Sequence, residues 1–285
     1  MMNTQKRLPE WLRMKMPEGE NYSITKNIVK KNNLHTICTS GNCPNIGECW
    51  ANKTATFMIL GDVCTRNCKF CNVKTGKPLP VDYNEPMRVA NAIKLMQLKY
   101  CVITSVTRDD LPDYGSTLWA ETIKKIKEIN ESIKIEALIP DFNGNIQYIQ
   151  KIIDAGADII SHNLETVKRL TPLIRSKACY DISLSVIEYI ASKNKIAKTG
   201  IMLGLGETEE EIIETMDDAL KAGCKIFTIG QYLQPSFDHM PVVEYINPEK
   251  FQFYKKEGLK KGFLIVESSP LVRSSYNANT HLMLT

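Results

Sequence analysis

The chain has 285 residues, 43% hydrophobic and 24% charged, the make-up of a protein able to bury a full core. That length suits two average domains or a single α/β barrel. Its 36 Lys and Arg against 32 Asp and Glu leave a net charge of +4, too mild to indicate a nucleic-acid partner. A modest basic patch facing an acidic protein is as compatible. The polar start, MMNTQKRLPEWLRMKMPEGE, has no apolar core of a signal peptide, and no apolar run reaches the ~18 residues of a membrane span. A reducing cytoplasm is the expected setting, where nine cysteines point to metal or catalysis rather than disulfides.

Residues 1–36 read as an N-terminal extension broken by Pro9, Pro17 and Gly19, with a short helix over Ile24–Leu34. A first cysteine triplet, Cys38, Cys43 and Cys49, follows in a Gly-, Asn- and Pro-containing stretch without helical or strand period. From Thr54 onward, apolar runs alternate with amphipathic segments. The runs are Ala55–Leu60, Tyr100–Val106, Ile133–Ile139, Asp158–Ser161, Ile196–Leu203, Ile226–Gly230 and Phe263–Val266. Helical patterns cover Asn84–Leu98, Ser116–Asn130 with Ser116 as N-cap, Ile146–Ala155 ending at Gly156, and Glu207–Ala222 closing on Gly223.

Repeated strand–helix alternation specifies a parallel sheet, open or closed. Polar residues follow nearly every strand end: Cys64, Arg108, Asp141, Asn163, Gly204 and Gln231. Loading every strand end suits a barrel, whose site is ringed by all its βα loops, better than an open sheet with one switch point. About six units predict a partial TIM-like (β/α)6 barrel over residues 54–267, flanked by an extension over 1–53 and a tail over 268–285.

Six of the nine cysteines lie between Cys38 and Cys71, spaced C-x4-C-x5-C and then C-x3-C-x2-C at Cys64, Cys68 and Cys71. Soft thiolate sets of this kind select iron–sulfur clusters or zinc. Structural zinc usually takes four ligands in paired C-x2-C units, so two triplets with a vacant position favour clusters. Cys101, Cys179 and Cys224 lack ligand spacing and read as small core residues, while His35, His239 and His281 have no assigned role.

The C-x3-C-x2-C triplet, with Phe70 between its last two cysteines, resembles the cluster signature of the radical S-adenosylmethionine (SAM) enzymes. Together with C-x4-C-x5-C and the Arg273-Ser274-Ser275-Tyr276 segment, the chain is similar to the lipoyl synthase family from about Trp11 to Tyr276. The resemblance implies a [4Fe–4S] cluster on Cys64, Cys68 and Cys71, whose free iron is chelated by SAM. It also implies an auxiliary [4Fe–4S] cluster on Cys38, Cys43, Cys49 and Ser275, consumed as sulfur donor.

The segment His162-Asn163-Leu164-Glu165-Thr166 resembles one shared by lipoyl and biotin synthases, which implies Asn163, Glu165 and Arg175 as SAM contacts, with Arg108 and Asp109 ranked lower. Gly204-Leu205-Gly206-Glu207 resembles a family segment beside the adenine, and Gln231–Ser236 one lining the substrate channel. The implied reaction inserts two sulfurs at C6 and C8 of an octanoyl chain on a lysine of a lipoyl-carrier protein. The expected carriers are 2-oxoacid dehydrogenase E2 domains and the glycine cleavage H protein. An electron donor such as ferredoxin or flavodoxin and an iron–sulfur carrier are further expected partners. A biotin synthase-like enzyme would share the HNLET segment but leaves C-x4-C-x5-C unexplained, and a cluster- or zinc-bearing binding module has only the charge and the triplets in its favour.

Overall fold

The computed structural model describes residues 8–14, 19–175, 177–276 and 278. All seven apolar runs become strands of one sheet. Strand β1 (His35–Thr36) pairs antiparallel with β2 (Thr56–Ile59), and the short β3 (Val63–Cys64) and β4 (Lys74–Thr75) form a separate parallel pair. After β2 the main sheet continues through β5 (Tyr100–Ser105), β6 (Lys134–Leu138), β7 (Ile159–Ser161), β8 (Ile196–Leu203), β9 (Ile226–Gln231) and β10 (Ile265–Ser268), every neighbouring pair parallel. Strands covered on both faces need apolar residues on both, which is why they read as runs rather than alternations. The order leaves β1 and β10 as edges, so the sheet curves as a partial barrel without closing.

Helix α1 (Glu20–Lys31) packs on α3 (Ile46–Ala51), its Tyr22 ring 5.5 Å from that of Trp50. Between them lies the single turn α2 (Ile37–Ser40). Cys38 and Cys49 therefore sit on two short helices rather than in a loop, and only Cys43 lies in the connection between them. Thr36 caps α2 by accepting the Thr39 N–H at 3.2 Å, but helices this short show no period for a sequence to reveal.

The crossovers carry α4 (Glu85–Leu95), α5 (Ser116–Ile129), α6 (Ile146–Asp154), α7 (Thr171–Ile174), α8 (Tyr180–Ser192), α9 (Glu209–Lys221) and α10 (Pro248–Lys261). Ser116 is not the cap of α5. Gly115 takes that place at φ 82°, and the Asp113 carboxylate receives the Gly115 and Thr117 N–H groups at 3.0 and 2.9 Å. Helix α9 starts later than Glu207 because Thr208 and Glu211 form a reciprocal capping box. Glu207 instead folds back onto the Gly204 and Leu205 N–H groups. Among the described residues no helix is long and apolar enough to cross a membrane.

Candidate functional site

The loop carrying Cys64, Cys68 and Cys71 leaves the barrel after β2. Cys64 closes β3, and its sulfur accepts the backbone N–H groups of Arg66 and Thr107, each at 3.4 Å. The loop is tied to late parts of the chain: Lys69 N–H donates to the Ile174 carbonyl at 2.9 Å, and Met240 N–H to the Lys69 carbonyl at 2.9 Å. His239, without a role in the sequence reading, bonds the Cys71 carbonyl through Nε2 at 3.0 Å. Burial pushes Cys68 up to about 11 and Cys71 to about 12, so both are thiols that give up protons on binding metal.

Between these cysteines, Arg66 forks to two carboxylates. It reaches Asp109 through Nε and Nη2, each at 2.9 Å, and Asp141 at 2.5 and 2.8 Å. Burial opposes ionisation of Asp141, yet the Arg66 bonds outweigh it and hold the acid below its ordinary range. Asp109 thus serves to fix the cysteine loop. Arg108 turns away from the site. Its guanidinium takes Asp110 and the carbonyls of Leu60 and Leu79. Neither Arg108 nor Asp109 lines the central cavity, and Gly204–Glu207 stays outside it too.

That cavity, about 360 Å³, opens onto Cys64, Cys68 and Cys71 on one side and Cys38, Cys43 and Ser275 on the other. Asn163, Glu165 and Arg175 also face it. Glu165 holds a left-handed backbone at φ 67°, locked by Glu165 N–H to the Gly200 carbonyl and Met202 N–H to the Glu165 carbonyl, both at 2.9 Å. Burial raises its carboxyl above the usual range.

Asn163 donates to Glu165 at 3.1 Å and to the Ser274 hydroxyl at 2.6 Å, while its own carbonyl oxygen is buried without a partner among the described residues. An orphaned acceptor on the cavity wall costs free energy until a donor fills it, and the amino or hydroxyl groups of SAM are such donors. Arg175 donates to the Leu164 carbonyl at 3.1 Å and to Ser183 Oγ at 3.2 Å. Behind it, His162 contacts the Ile139 carbonyl at 2.9 Å and Ser183 at 3.0 Å. Burial, with Arg175 nearby, pulls His162 down to about 4 and keeps it neutral.

The first triplet, Cys38, Cys43 and Cys49, shares a pocket with Arg273, Ser275 and Tyr276. Ser275 Oγ accepts from Thr56 at 2.8 Å, and the Leu271 carbonyl accepts from Asn45, between Cys43 and Cys49, at 2.7 Å. Burial raises all three thiols, Cys49 to about 12. Two features of this pocket fit an anionic cluster. The buried Trp50 indole N–H faces the Cys38 sulfur and favours its thiolate, and Arg273 has no carboxylate partner among the described residues while its charge faces Cys43. Among the described residues no three His, Cys, Asp or Glu side chains converge as for a single metal ion. In a polynuclear cluster each thiolate instead takes its own iron.

Sequence reasoning missed Arg66 and Trp50 as parts of these sites, and singled out the segments holding His162 and Arg273 without giving either residue a role. Arg66 and Trp50 lie beside ligand cysteines in the chain, a signal available but ambiguous. Cys179, expected in the core, is exposed at the start of α8, whereas Cys101 and Cys224 are buried. His281 lies outside the described residues.

A family model described as the radical SAM superfamily matches residues 58–219, and one described as the N-terminal domain of lipoyl synthase matches residues 2–43. The lipoyl synthase of Porphyromonas gingivalis (strain ATCC 33277) is 59% identical over 275 residues, covering 96% of this chain and 98% of its own. That of Parabacteroides distasonis is 56% identical over 276 residues, covering 97% and 98%. Among solved structures, SuiB of Streptococcus suis bound to its precursor peptide aligns with TM-score 0.60 at 12% identity, over 91% of this chain and 55% of its own. Methylornithine synthase aligns with TM-score 0.56 at 14% identity, over 74% and 70%. At such identities the two structures speak for the fold alone. The chain belongs to the lipoyl synthase family of the radical SAM superfamily.

Proposed function

We propose that this chain inserts two sulfur atoms at C6 and C8 of an octanoyl chain carried on a lysine of a lipoyl-carrier protein. The observation that carries this reading is one cavity lined by Cys64, Cys68 and Cys71, by Cys38 and Cys43 of the other triplet, and by Ser275. When bound, SAM and the cluster on Cys64, Cys68 and Cys71 supply one-electron hydrogen abstraction, and the auxiliary cluster on Cys38, Cys43, Cys49 and Ser275 supplies sulfur. The chain's own residues hold and orient. Arg175 offers its guanidinium to the SAM carboxylate, while Asn163 and Glu165 meet the amino and ribose groups. Arg66, through Asp109 and Asp141, keeps the cysteine loop on the barrel mouth. The apolar walls Met58, Phe70, Leu138, Ile139 and Met202 fit an eight-carbon chain and keep water from it.

In this reading residues 54–267 are the catalytic barrel, and residues 1–53 and 268–285 assemble the sulfur-donor site over it. Octanoylated E2 domains and H protein are the substrates, a ferredoxin or flavodoxin the reductant, an iron–sulfur carrier the source of new clusters, and the cytoplasm the setting. The test is to reconstitute the protein anaerobically and incubate it with an octanoyl-lysyl peptide, SAM and dithionite. About eight irons and eight sulfides per chain and a dithiolated peptide are expected. SAM cleavage without any sulfur entering the peptide sinks the reading.

A further inference from the structure

Deep in the barrel, Lys198 on β8 and Glu136 on β6 form an ion pair with both side chains at 0% exposure. Lys198 Nζ donates to the two carboxylate oxygens at 2.7 and 3.0 Å, and Glu136 also accepts from Tyr100 on β5 at 2.7 Å and Ser161 on β7 at 2.9 Å. An ammonium has three donors, and the third runs to the backbone carbonyl of Ser274 at 2.6 Å. Four neighbouring strands thus build a closed polar network whose one outlet described here is the C-terminal tail.

We propose that Lys198, held by Glu136, is a positioning residue that sets the place of Ser275 at the auxiliary site. The Ser274 carbonyl and the Ser275 N–H share one rigid peptide plane, so fixing the first orients the backbone from which the Ser275 hydroxyl projects. The Ser274 hydroxyl is gripped separately by Asn163, which gives this residue two anchors in the barrel. A buried ion pair contributes little net stability over a well-packed apolar pair, because desolvation offsets its attraction. What it adds is direction: a short bond from a buried ammonium to one carbonyl of the tail. The inference rests on Ser275 being the fourth ligand of the auxiliary cluster.

The test uses the reconstituted full chain carrying Lys198→Met with Glu136→Gln, which avoids stranding a buried carboxylate. Lys198→Gln with Glu136→Gln is a milder second variant for the case in which the first does not fold. Ser275→Ala is measured beside them. Amide exchange over residues 269–276 is expected to accelerate about tenfold or more. The Mössbauer signal of the auxiliary cluster is expected to shift toward that of Ser275→Ala, with the radical cluster unchanged. Sulfur insertion falls about tenfold while SAM cleavage stays within about twofold of wild type. Wild-type tail exchange in a folded double variant overturns the proposal. So does a wild-type auxiliary signal there when Ser275→Ala alters it. If Ser275→Ala leaves that signal untouched, the ligand reading is the one that fails, and tail exchange still decides the role of Lys198.

Discussion

The two cysteine triplets stand 15 residues apart in the chain, from Cys49 to Cys64, yet they are assembled by opposite means. The Cys64–Cys71 loop carries all three of its cysteines on one short stretch. It follows one strand, its first sulfur takes two backbone N–H groups, and the Arg66 fork and the Lys69 and His239 bonds fasten it. The Cys38–Cys49 segment is bound to the barrel edge through β1 and needs the far end of the chain, as the bond from Asn45 to Leu271 across 226 residues shows. Closing so long a loop costs little more than closing a shorter one, since the entropy grows only logarithmically with length. What the tail does require is a finished barrel. Its grips come from Gln231 on β9, Lys198 on β8 and Asn163 after β7. One site has its cysteines on a single loop that later segments only fasten, while the other draws its lining from both ends of the chain.

The sharpest way to break this contrast is a pair of single substitutions. Cys64→Ala removes a ligand from the local site, and SAM cleavage and sulfur insertion are both expected to fall by about a hundredfold or more. Ser275→Ala strikes only the remote closure. Sulfur insertion is expected to drop at least about tenfold, with SAM cleavage within about twofold of wild type. Parallel assays of 5′-deoxyadenosine and of thiolated peptide separate the two. Equal loss of both products in Ser275→Ala would contradict the division of labour.

Gly230 tests the tail's path without touching a ligand. On β9 it lies against the tail, and a Cβ there would collide with the Val272 carbonyl oxygen. The obstacle is backbone, which cannot rotate away as a side chain can. Gly230→Ala is expected to cost about 1–3 kcal/mol of stability, the usual range for overpacking, and to lower sulfur insertion more than SAM cleavage. Urea unfolding with the same two product assays checks it; an unchanged ratio of products means that the tail tolerates the shift.

The local site was the legible one. Closely spaced cysteines after an apolar run place themselves at a strand end, and the seven parallel strands of the main sheet were visible because parallel strands buried on both faces read as uninterrupted apolar runs, whereas the two-residue β1, β3 and β4 were not. The helices bearing Cys38 and Cys49 were invisible, since α2 and α3 are too short to carry a period. Arg108 was misjudged because a position after a strand end does not set side-chain direction. Asp110, two residues on, captures the guanidinium and turns it from the cavity. The Lys198–Glu136 pair lay hidden inside apolar runs, where a single charge in a strand reads as noise. Ser275 was singled out by its resemblance to a family segment, while the bonds around it became visible only in three dimensions.

The last effect concerns His162, which sits behind Arg175 on the radical side. Its neutral ring donates from Nδ1 to the Ile139 carbonyl and accepts at Nε2 from Ser183, the tautomer that lets Ser183 in turn accept from Arg175. Protonation would place a second cation beside that guanidinium in a buried site. With a folded value of about 4 against 6.5 unfolded, the unfolded chain takes up this proton first as pH falls. Stability from this residue is therefore full above pH 6.5 and is lost progressively toward pH 4, by up to about 3 kcal/mol at ~1.4 kcal/mol per unit. About 2 kcal/mol of that lies between pH 6.5 and pH 5, where urea midpoints of the loaded protein can be followed. His162→Asn cannot titrate and is expected to flatten the slope in this window, while a slope equal to wild type would assign the acid sensitivity to other groups. The same variant loosens the support of Arg175, so the KM for SAM is expected to rise several-fold, whereas the auxiliary-cluster spectrum, assembled from the other end of the chain, stays as in the wild type.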